Sequence, residues 1–198
     1  MTTLATKRLL LEPVTPRNAS VLWSLMQNAH LREFQDIPRY TRVEFERRVA
    51  QRPKRLHQRA SGRFEWLLSL SDTRVAIGWV SLRMGEGAPG MGEIGYSVLA
   101  GYRGRGFASE AARAVVEVGF TQASLRRIDA CCVPENVASR RLLARLGFAQ
   151  AKLQKRGAIV RGRPVDVVVF ECERARWGAG AQNGSANSMV MPASGKAK

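Results

Sequence analysis

Two hydrophobic periods alternate along this chain, and their order predicts a mixed α+β domain. Short apolar runs bounded by turn-forming residues are typical of strands, whereas apolar residues spaced three or four apart are typical of helices. The resulting order is β-α-α-β-β-β-α-β-α-β-β. We predict about seven strands, at 9–13, 64–70, 75–82, 93–98, 127–133, 148–155 and 165–172, and about four helices, at 16–28, 41–52, 108–122 and 137–146.

Capping and turn residues mark where several of these elements begin and end. Thr15-Pro16 predicts the start of the first helix, and Thr41 with Glu44 three residues later predicts a capping box at the second. A turn over 156–164 is expected between the last two strands. From about residue 174 the apolar period disappears and the cations occur without acids. We therefore predict a domain at 1–173 and a disordered basic tail at 174–198.

Composition places the chain among ordinary globular proteins. Its 198 residues and 45% hydrophobic content suit one domain with a real core. No apolar run reaches the roughly 18 residues of a membrane span, and no apolar leader follows Met1. The three cysteines are expected as free thiols in a reducing compartment, and metal-ligand spacing is absent. We therefore expect a cytoplasmic protein without a metal or a membrane contact.

The charge of the chain raises the question of a polyanionic partner. The chain has 32 Lys and Arg against 16 Asp and Glu, a formal net charge of +16. Part of the excess lies in the segment Arg39–Arg63, where nine basic residues accompany only Glu44 and Glu46. Such a field attracts polyanions. Two interpretations stay open: a contact with RNA, a ribosome surface or an acidic partner, or solvated arginines that bind nothing.

The densest chemical signal is the stretch Gly101–Glu110, GYRGRGFASE, here called the glycine loop. It follows a predicted strand and opens a predicted helix. Glycine lets the backbone approach a ligand, and the free N–H groups of a helix start attract anions. Arg103 and Arg105 add positive charge. The stretch lacks the Gly-Lys-Ser/Thr ending of a Walker loop, and its glycine spacing differs from G-x-G-x-x-G. We predict a phosphate site of another kind; the alternative is a plain glycine-rich turn.

The glycine loop resembles the acyl-CoA pyrophosphate loop of GNAT-type N-acetyltransferases, whose pattern is Gln/Arg-x-x-Gly-x-Gly/Ala. Gly101 stands at the Gln/Arg position. A second segment, VPENVAS at 133–139 with LGF at 146–148, resembles the family's N-x-x-S segment and its ending. The opening Arg8–Leu11 resembles the ribosomal-protein alanine N-acetyltransferase subgroup. The resemblance covers roughly residues 7–173, and it implies the GNAT fold, a mixed, mostly antiparallel twisted sheet flanked by helices.

The resemblance also implies acetyl-CoA as cosubstrate. Backbone N–H groups of the glycine loop would hold its pyrophosphate. The strand before the loop would hold its pantetheine arm by main-chain hydrogen bonds, with the following strand splayed away. One N–H near Val98 would hold the thioester oxygen, and Glu110 would orient backbone. The implied cofactor-binding residues are Tyr96, Ser97, Val98, Arg103, Gly104, Arg105, Gly106, Phe107, Ala108 and Asn136.

Two residues are candidates for the proton transfers of the reaction. The resemblance implies that Glu93, which starts the central strand, is the candidate base, acting through a water. It also implies that Ser139 lies near the sulfur of CoA, as the candidate acid or only as a hydrogen-bond donor to the thiolate. Each also has a plain structural interpretation, as a strand-end carboxylate or a first-turn helix residue. Tyr96 is a rival acid, and Glu33 and Asp36 are expected to bind the incoming ammonium or to be solvated. Because no Ser-His-Asp set or Cys-His pair is apparent, we expect direct transfer without an acyl-enzyme.

Together these features predict an acetyl-CoA-dependent N-acetyltransferase. The resemblance implies a protein N-terminal α-amine as acceptor, such as that of a ribosomal protein. The pKa of such an amine, about 8, leaves a usable neutral fraction at pH 7. The basic Arg39–Arg63 region would help to find a ribosomal or RNA-associated target. Two alternatives stay open: acetylation of a small amine such as an amino acid, polyamine or antibiotic, and a non-catalytic CoA- or RNA-binding module on the same fold.

Overall fold

The computed structural model describes residues 1–85 and 89–180, and the strands of this part of the chain form one open sheet. The eight strands are β1 Leu4–Ala5, β2 Leu9–Pro13, β3 Gly62–Leu70, β4 Ala76–Met84, β5 Met91–Val98, β6 Arg127–Cys132, β7 Ala149–Val160 and β8 Arg163–Glu173. Their order in the sheet is β1-β2-β3-β4-β5-β6-β8-β7. Neighbouring strands are antiparallel except for β5 and β6, which run parallel.

Helices cover both faces of the sheet. They are α1 Ala19–Met26, α2 Arg42–Ala50, α3 Phe107–Thr121, α4 Val137–Arg145 and α5 Arg174–Gly180, with short 3-10 turns at Ala29–Arg32 and Ala100–Tyr102. Because side chains alternate along a strand, β3 contributes to two cores. Trp66 and Leu68 belong to the larger core, which includes the apolar face of α3, and Leu67 belongs to the smaller core under α1 and α2.

The predicted fold class is confirmed, with one two-residue strand, β1, and one helix, α5, beyond the predicted elements. The capping box at the start of α2 is also confirmed: the Thr41 hydroxyl accepts from the Glu44 N–H, and the Glu44 carboxylate accepts from the Thr41 N–H. The predicted start of α1 at Thr15 is wrong, because α1 begins at Ala19. The Asn18 side chain accepts from the Thr15 N–H and donates to the Pro13 carbonyl, so it closes a turn before the helix.

The predicted turn at 156–164 is wrong as well. β7 and β8 continue to a two-residue turn at Arg161 and Gly162, both with positive φ (52° and 73°), as tight hairpin turns require. The turn signal at Arg156 marks an irregularity within β7 instead. Arg156 has φ 52°, and the register shifts between Gln154 and Ala158.

The predicted domain end at residue 173 needs a correction for residues 174–180, which form α5. Trp177 is buried, its ring centroid lies 6.0 Å from that of Phe120, and its indole N–H donates to Glu117 at 2.6 Å. These contacts tie α5 to α3, so this part of the predicted tail belongs to the domain. The remaining tail residues, 181–198, lie outside the described residues. Within the described ranges, no helix is long and apolar enough to cross a membrane.

Candidate active site

A gap opens in the middle of the sheet between β5 and β6. The two strands pair only at their beginnings, where Met91–Glu93 lies beside Arg127–Asp129. Beyond that point β6 keeps its pairing with β8 as far as Cys132, while β5 keeps its pairing with β4 as far as Val98. The predicted splaying of these two strands is therefore confirmed, and it leaves one edge of residues 94–98 open.

Gly78 on β4 allows β5 to lie unusually close on the other side. A Cβ atom at Gly78 would lie 2.1 Å from the Ser97 carbonyl oxygen, and no real Cβ atom comes so near a backbone atom. The approach of the β5 backbone to β4 at Ser97 therefore requires glycine at position 78. Sequence analysis missed this glycine, since nothing local distinguishes it from other glycines in strands.

The gap continues into a cleft of about 540 Å³. Its walls are the α1–α2 loop (residues 30–40), the end of β5, the glycine loop, the end of β6 and the start of α4. The predicted site residues among its lining are Tyr96, Ser97, Val98, Arg103, Gly104, Gly106, Phe107, Ala108, Asn136 and Ser139. Four other predicted residues, Glu33, Asp36, Glu93 and Arg105, lie outside this lining.

The glycine loop has the backbone geometry expected of an anion site. Gly104 and Gly106 adopt positive φ values of 73° and 82°. Gly106 is the N-cap of α3, and no side chain caps the first N–H groups of this 15-residue helix. Those N–H groups, at Phe107 and Ala108, border the cleft. Free donors at a helix start, with the positive end of the helix dipole, suit a phosphate group.

A clamp from the segment between β1 and β2 holds the glycine loop in place. Glu110 accepts from the Thr6 hydroxyl at 2.6 Å, the Arg8 N–H at 2.8 Å and Arg8 Nε at 2.7 Å. Arg8 also donates to the Arg105 carbonyl at 2.9 Å, and its guanidinium lies 4.5 Å from the centre of the Phe107 ring. Burial opposes ionisation of Glu110, but the hydrogen bonds from Thr6 and Arg8 outweigh it and lower the pKa. The prediction that Glu110 orients backbone is confirmed.

Two hydroxyl groups meet across the cleft. The Tyr96 hydroxyl on β5 lies 2.8 Å from the Ser139 hydroxyl on α4. Asn136 accepts from the Ser139 N–H at 3.0 Å, so it caps α4 and fixes Ser139. Burial raises the pKa of Tyr96 well above its ordinary value, against a smaller opposing effect of the Ser139 hydrogen bond. Tyr96 therefore stays protonated at neutral pH, and either of the two hydroxyls can donate the hydrogen bond that joins them.

Charged residues form a row across the face of the sheet that lies opposite α3. Register pairs Arg63 with Arg83, Arg83 with Glu93, Glu93 with Asp129, and Asp129 with Glu171, so these five residues, the charge row, share one face of five successive strands. Glu93 lies where β5 and β6 begin to separate, and its carboxylate is 3.9 Å from the Arg83 guanidinium. About half of the Glu93 side chain is exposed.

Asp129 is a carboxylate beside the gap that sequence analysis did not select. Burial raises its pKa, Arg127 opposes this, and the negative charges of Glu171 and Glu93 raise it further. Partial desolvation, followed by the charge of Glu93, raises the pKa of the nearby Cys131 thiol to about 11. Cys131 is therefore protonated at neutral pH and is a poor nucleophile, which agrees with direct transfer.

The Arg103 side chain contacts β5 and the α1–α2 loop. Its Nε donates to the Val98 carbonyl at 3.2 Å, its Nη2 donates to the His30 carbonyl at 3.0 Å, and its Nη1 lies 3.6 Å from the Glu33 carboxylate. Glu33 is thus paired within the protein, whereas Asp36 is exposed on the same loop. Among the described residues, no group of three or more His, Cys, Asp and Glu side chains is placed to hold a metal ion.

Comparisons with known proteins agree with this geometry. Residues 8–149 match the acetyltransferase (GNAT) domain family. Over 171 residues, the chain is 32% identical to p20 of Bacillus licheniformis, an uncharacterized N-acetyltransferase; the match covers 86% of this chain and 95% of p20.

Two solved structures illustrate the range of the fold. A ribosomal-protein-S5-alanine acetyltransferase from Vibrio fischeri superposes with a TM-score of 0.76 at 19% identity, covering 89% of this chain and 99% of that one. Mutant forms of the spermidine/spermine N-acetyltransferase SpeG from Vibrio cholerae give 0.72 at 16% identity, covering 87% and 98%. At such identities the likeness shows the fold alone. Because the names of these two proteins specify different acceptors, the fold alone does not identify the acceptor of this chain.

Proposed function

This chain belongs to the GNAT family of acetyltransferases, and on that premise we propose that it acetylates a protein N-terminal α-amine, such as that of a ribosomal protein. Acetyltransferases of this fold use acetyl-CoA. The observation that most directly supports acetyl transfer is the open edge of β5, which runs from the glycine loop at one end to Glu93 at the other. An acyl donor and an amine can meet along this edge from opposite faces of the sheet.

The residues present fit acetyl-CoA. The free N–H groups from Gly104 to Ala108 suit the pyrophosphate, and the open edge of β5 at Tyr96–Val98 suits the amides of the pantetheine arm. A backbone N–H at Val98 would hold the thioester oxygen, where the negative charge of the tetrahedral intermediate develops. Asn136 supports this side indirectly, because it fixes the start of α4.

Proton transfer would use groups on both faces of the sheet. On the acceptor face, Glu93 accepts a proton from the amine through a water, with Asp129 as the neighbouring carboxylate. On the α4 side, Ser139 would pass a proton to the departing thiolate and regain one from solvent, while the hydrogen bond with Tyr96 holds it in place. An N-terminal amine, with a pKa of about 8, needs less help from a base than an amine with the pKa of lysine, about 10.4.

The test is CoA release from acetyl-CoA with a panel of acceptors: Ala- and Ser-starting peptides, amino acids, polyamines and aminoglycosides. Glu93→Gln is expected to lower kcat by about 100-fold or more, as for loss of a general base. Glu171→Gln is the matched control, because it removes a carboxylate from the same charge row two strands away. Turnover on the N-terminal peptides supports the proposal, whereas turnover on small amines alone contradicts the acceptor.

A small cationic amine is the second candidate, and the charge row is the observation that favours it. Glu93, Asp129 and Glu171 present three carboxylates side by side beyond the gap. However, the same row continues into Arg83 and Arg63, which oppose a long polycation. Binding of CoA without turnover on any acceptor of the panel would favour a non-catalytic CoA- or RNA-binding module instead.

The basic Arg39–Arg63 region is proposed to contact a ribosome or RNA, and the structure shows which cations already have protein partners. Arg42 pairs with Glu46, Arg52 and Arg63 pair with Glu65, and Arg48 lies over the Tyr40 ring at 4.4 Å. The cations for which the structure records no such pair are Arg39, Arg47, Lys54, Arg55 and Arg59.

The contact predicts that acetylation of a ribosomal target weakens with added salt or competing RNA. Substitution of Arg47 and Arg59 by Gln should reduce that salt dependence. If neither salt nor RNA alters acetylation of the protein target, the contact does not exist.

A further inference from the structure

Arg103 joins two parts of the cleft that belong to different substrates. It stands in the glycine loop directly after the Ala100–Tyr102 turn and directly before Gly104. Its guanidinium contacts the His30 carbonyl and the Glu33 carboxylate of the α1–α2 loop, and its Nε contacts the Val98 carbonyl of β5. One side chain therefore connects the anion-binding backbone, the open strand and the loop on the acceptor side.

Gln35 provides a second connection between the α1–α2 loop and the same strand end. Its amide donates to the Ser97 hydroxyl and also to the Leu31 carbonyl. The two connections reach consecutive residues of β5, Ser97 and Val98, where the strand has left β6. Leu31 and Ile37 are buried in the smaller core, so the loop has an apolar base as well.

The pair between Arg103 and Glu33 is poorly suited to a purely stabilising role. Both side chains are nearly half exposed (43% and 47%), and their charged atoms are 3.6 Å apart. Exposed ion pairs of this kind contribute little to global stability. The pair nevertheless links the exposed part of the α1–α2 loop at Glu33 to the glycine loop, while Leu31 and Ile37 anchor the same loop in the smaller core.

We propose that Arg103 is a positioning residue that couples occupation of the glycine loop to the position of the α1–α2 loop. The inference rests on the proposed function in one respect, namely that the N–H groups beside Arg103 hold the pyrophosphate of acetyl-CoA. An anion on those groups fixes the backbone that carries Arg103, and Arg103 then holds His30 and Glu33 against the end of β5. Cofactor binding thereby assembles the acceptor side of the cleft, and by linkage acceptor binding strengthens cofactor binding to the same degree.

The test is backbone hydrogen exchange of residues 28–38 with and without CoA, measured on the full chain. In the wild type, CoA is expected to slow exchange of this segment by about fivefold or more, the low end of typical coupling between sites. Arg103→Gln and Glu33→Gln should each abolish most of this effect, and the double variant should be no worse than either single variant. Arg105→Gln, measured at saturating CoA, removes the same charge from the same loop and should retain the effect, because Arg105 contacts the Tyr102 and Phe107 rings instead.

Binding and kinetic constants separate this role from a direct phosphate contact. Glu33→Gln should raise the KM of the acceptor and raise the Kd of CoA by no more than the lost coupling, about fivefold. The proposal is overturned if Arg103→Gln weakens CoA binding strongly but leaves the CoA-dependent protection of residues 28–38 intact at saturation. Failure of the wild type to bind CoA at all would instead overturn the proposed function.

Discussion

The hydrogen bond between Tyr96 and Ser139 can be tested as a proton path to the departing thiolate. The two oxygens are 2.8 Å apart, and burial keeps Tyr96 protonated by raising its pKa. If Ser139 is the acid, Ser139→Ala should lower kcat by about 100-fold, the lower range for loss of general acid catalysis. If Tyr96 only orients Ser139, Tyr96→Phe removes one neutral hydrogen bond, about 1 kcal/mol. That cost corresponds to a decrease of roughly fivefold in kcat.

We expect the smaller decrease in kcat, roughly fivefold, for Tyr96→Phe. We also expect the double variant to be no slower than Ser139→Ala, because Tyr96 acts through Ser139. The assay is thiol release at saturating acetyl-CoA and saturating concentration of the best acceptor. Tyr102→Phe removes a hydroxyl from another tyrosine of the cleft and serves as the control. A decrease of about 100-fold in Tyr96→Phe alone would instead make Tyr96 the acid. Decreases below about tenfold in both single variants would refute acid catalysis by this pair.

Further predictions concern stability and cofactor affinity. Glu110→Gln should destabilise the protein at neutral pH, and the difference from wild type in urea denaturation should vanish as the pH falls through the lowered folded-state pKa of Glu110, because only the ionised carboxylate is stabilised by the clamp. Trp177→Ala should lower the free energy of unfolding by about 3–5 kcal/mol, as for other buried aromatic residues, in the same assay. Gly106→Val should weaken CoA binding in calorimetry, because φ 82° strains a β-branched residue by about 1–3 kcal/mol. Gly78→Ala should lower the melting temperature, because the Ser97 carbonyl must move, whereas Gly101→Ala, where a Cβ atom meets nothing within 4 Å, should not.

Sequence analysis correctly predicted several features that depend only on a short stretch of neighbouring residues. The capping box needs only Thr41 and Glu44, and the helix start after the glycine loop needs only the order of residues from Gly101 to Glu110. The misplaced starts and turns also have local causes. Asn18 competed with the predicted cap at Thr15, and a positive φ at Arg156 lies within a strand instead of a turn. Capping and turn residues in the sequence therefore indicate that the regular backbone is interrupted. They do not show whether the interruption is a helix start, a turn or an irregularity within a strand.

The partners of charged side chains were the less predictable part of the site. Arg103 and Arg105 look equivalent in the sequence, yet Arg103 reaches His30 and Glu33, some 70 positions away, while Arg105 lies over neighbouring rings. The row that places Asp129 beside Glu93 depends on strand register, and a shift of one residue would move Asp129 to the other face. The number of charges along the chain indicates the strength of the electrostatic field around the protein. Only the folded structure shows which partner each charged side chain contacts.

The open edge of β5 shows why the cleft is suited to an extended ligand containing amides. Strands are stabilised by pairing their backbone groups, and a buried N–H or C=O without a partner is costly. Residues 94–98 give up pairing with β6, although the first three residues of β5 have it. Within this open edge the Val98 carbonyl already accepts a hydrogen bond from Arg103. A side chain of the glycine loop therefore replaces one of the hydrogen bonds that a neighbouring strand would supply. The remaining groups, on either side of Tyr96, require water or a ligand whose own amides run along the strand, and the phosphate site at Gly104 and Gly106 lies at the end of that path. The splayed strands and the glycine loop therefore lie along one path that suits a long anionic molecule with an amide-containing arm.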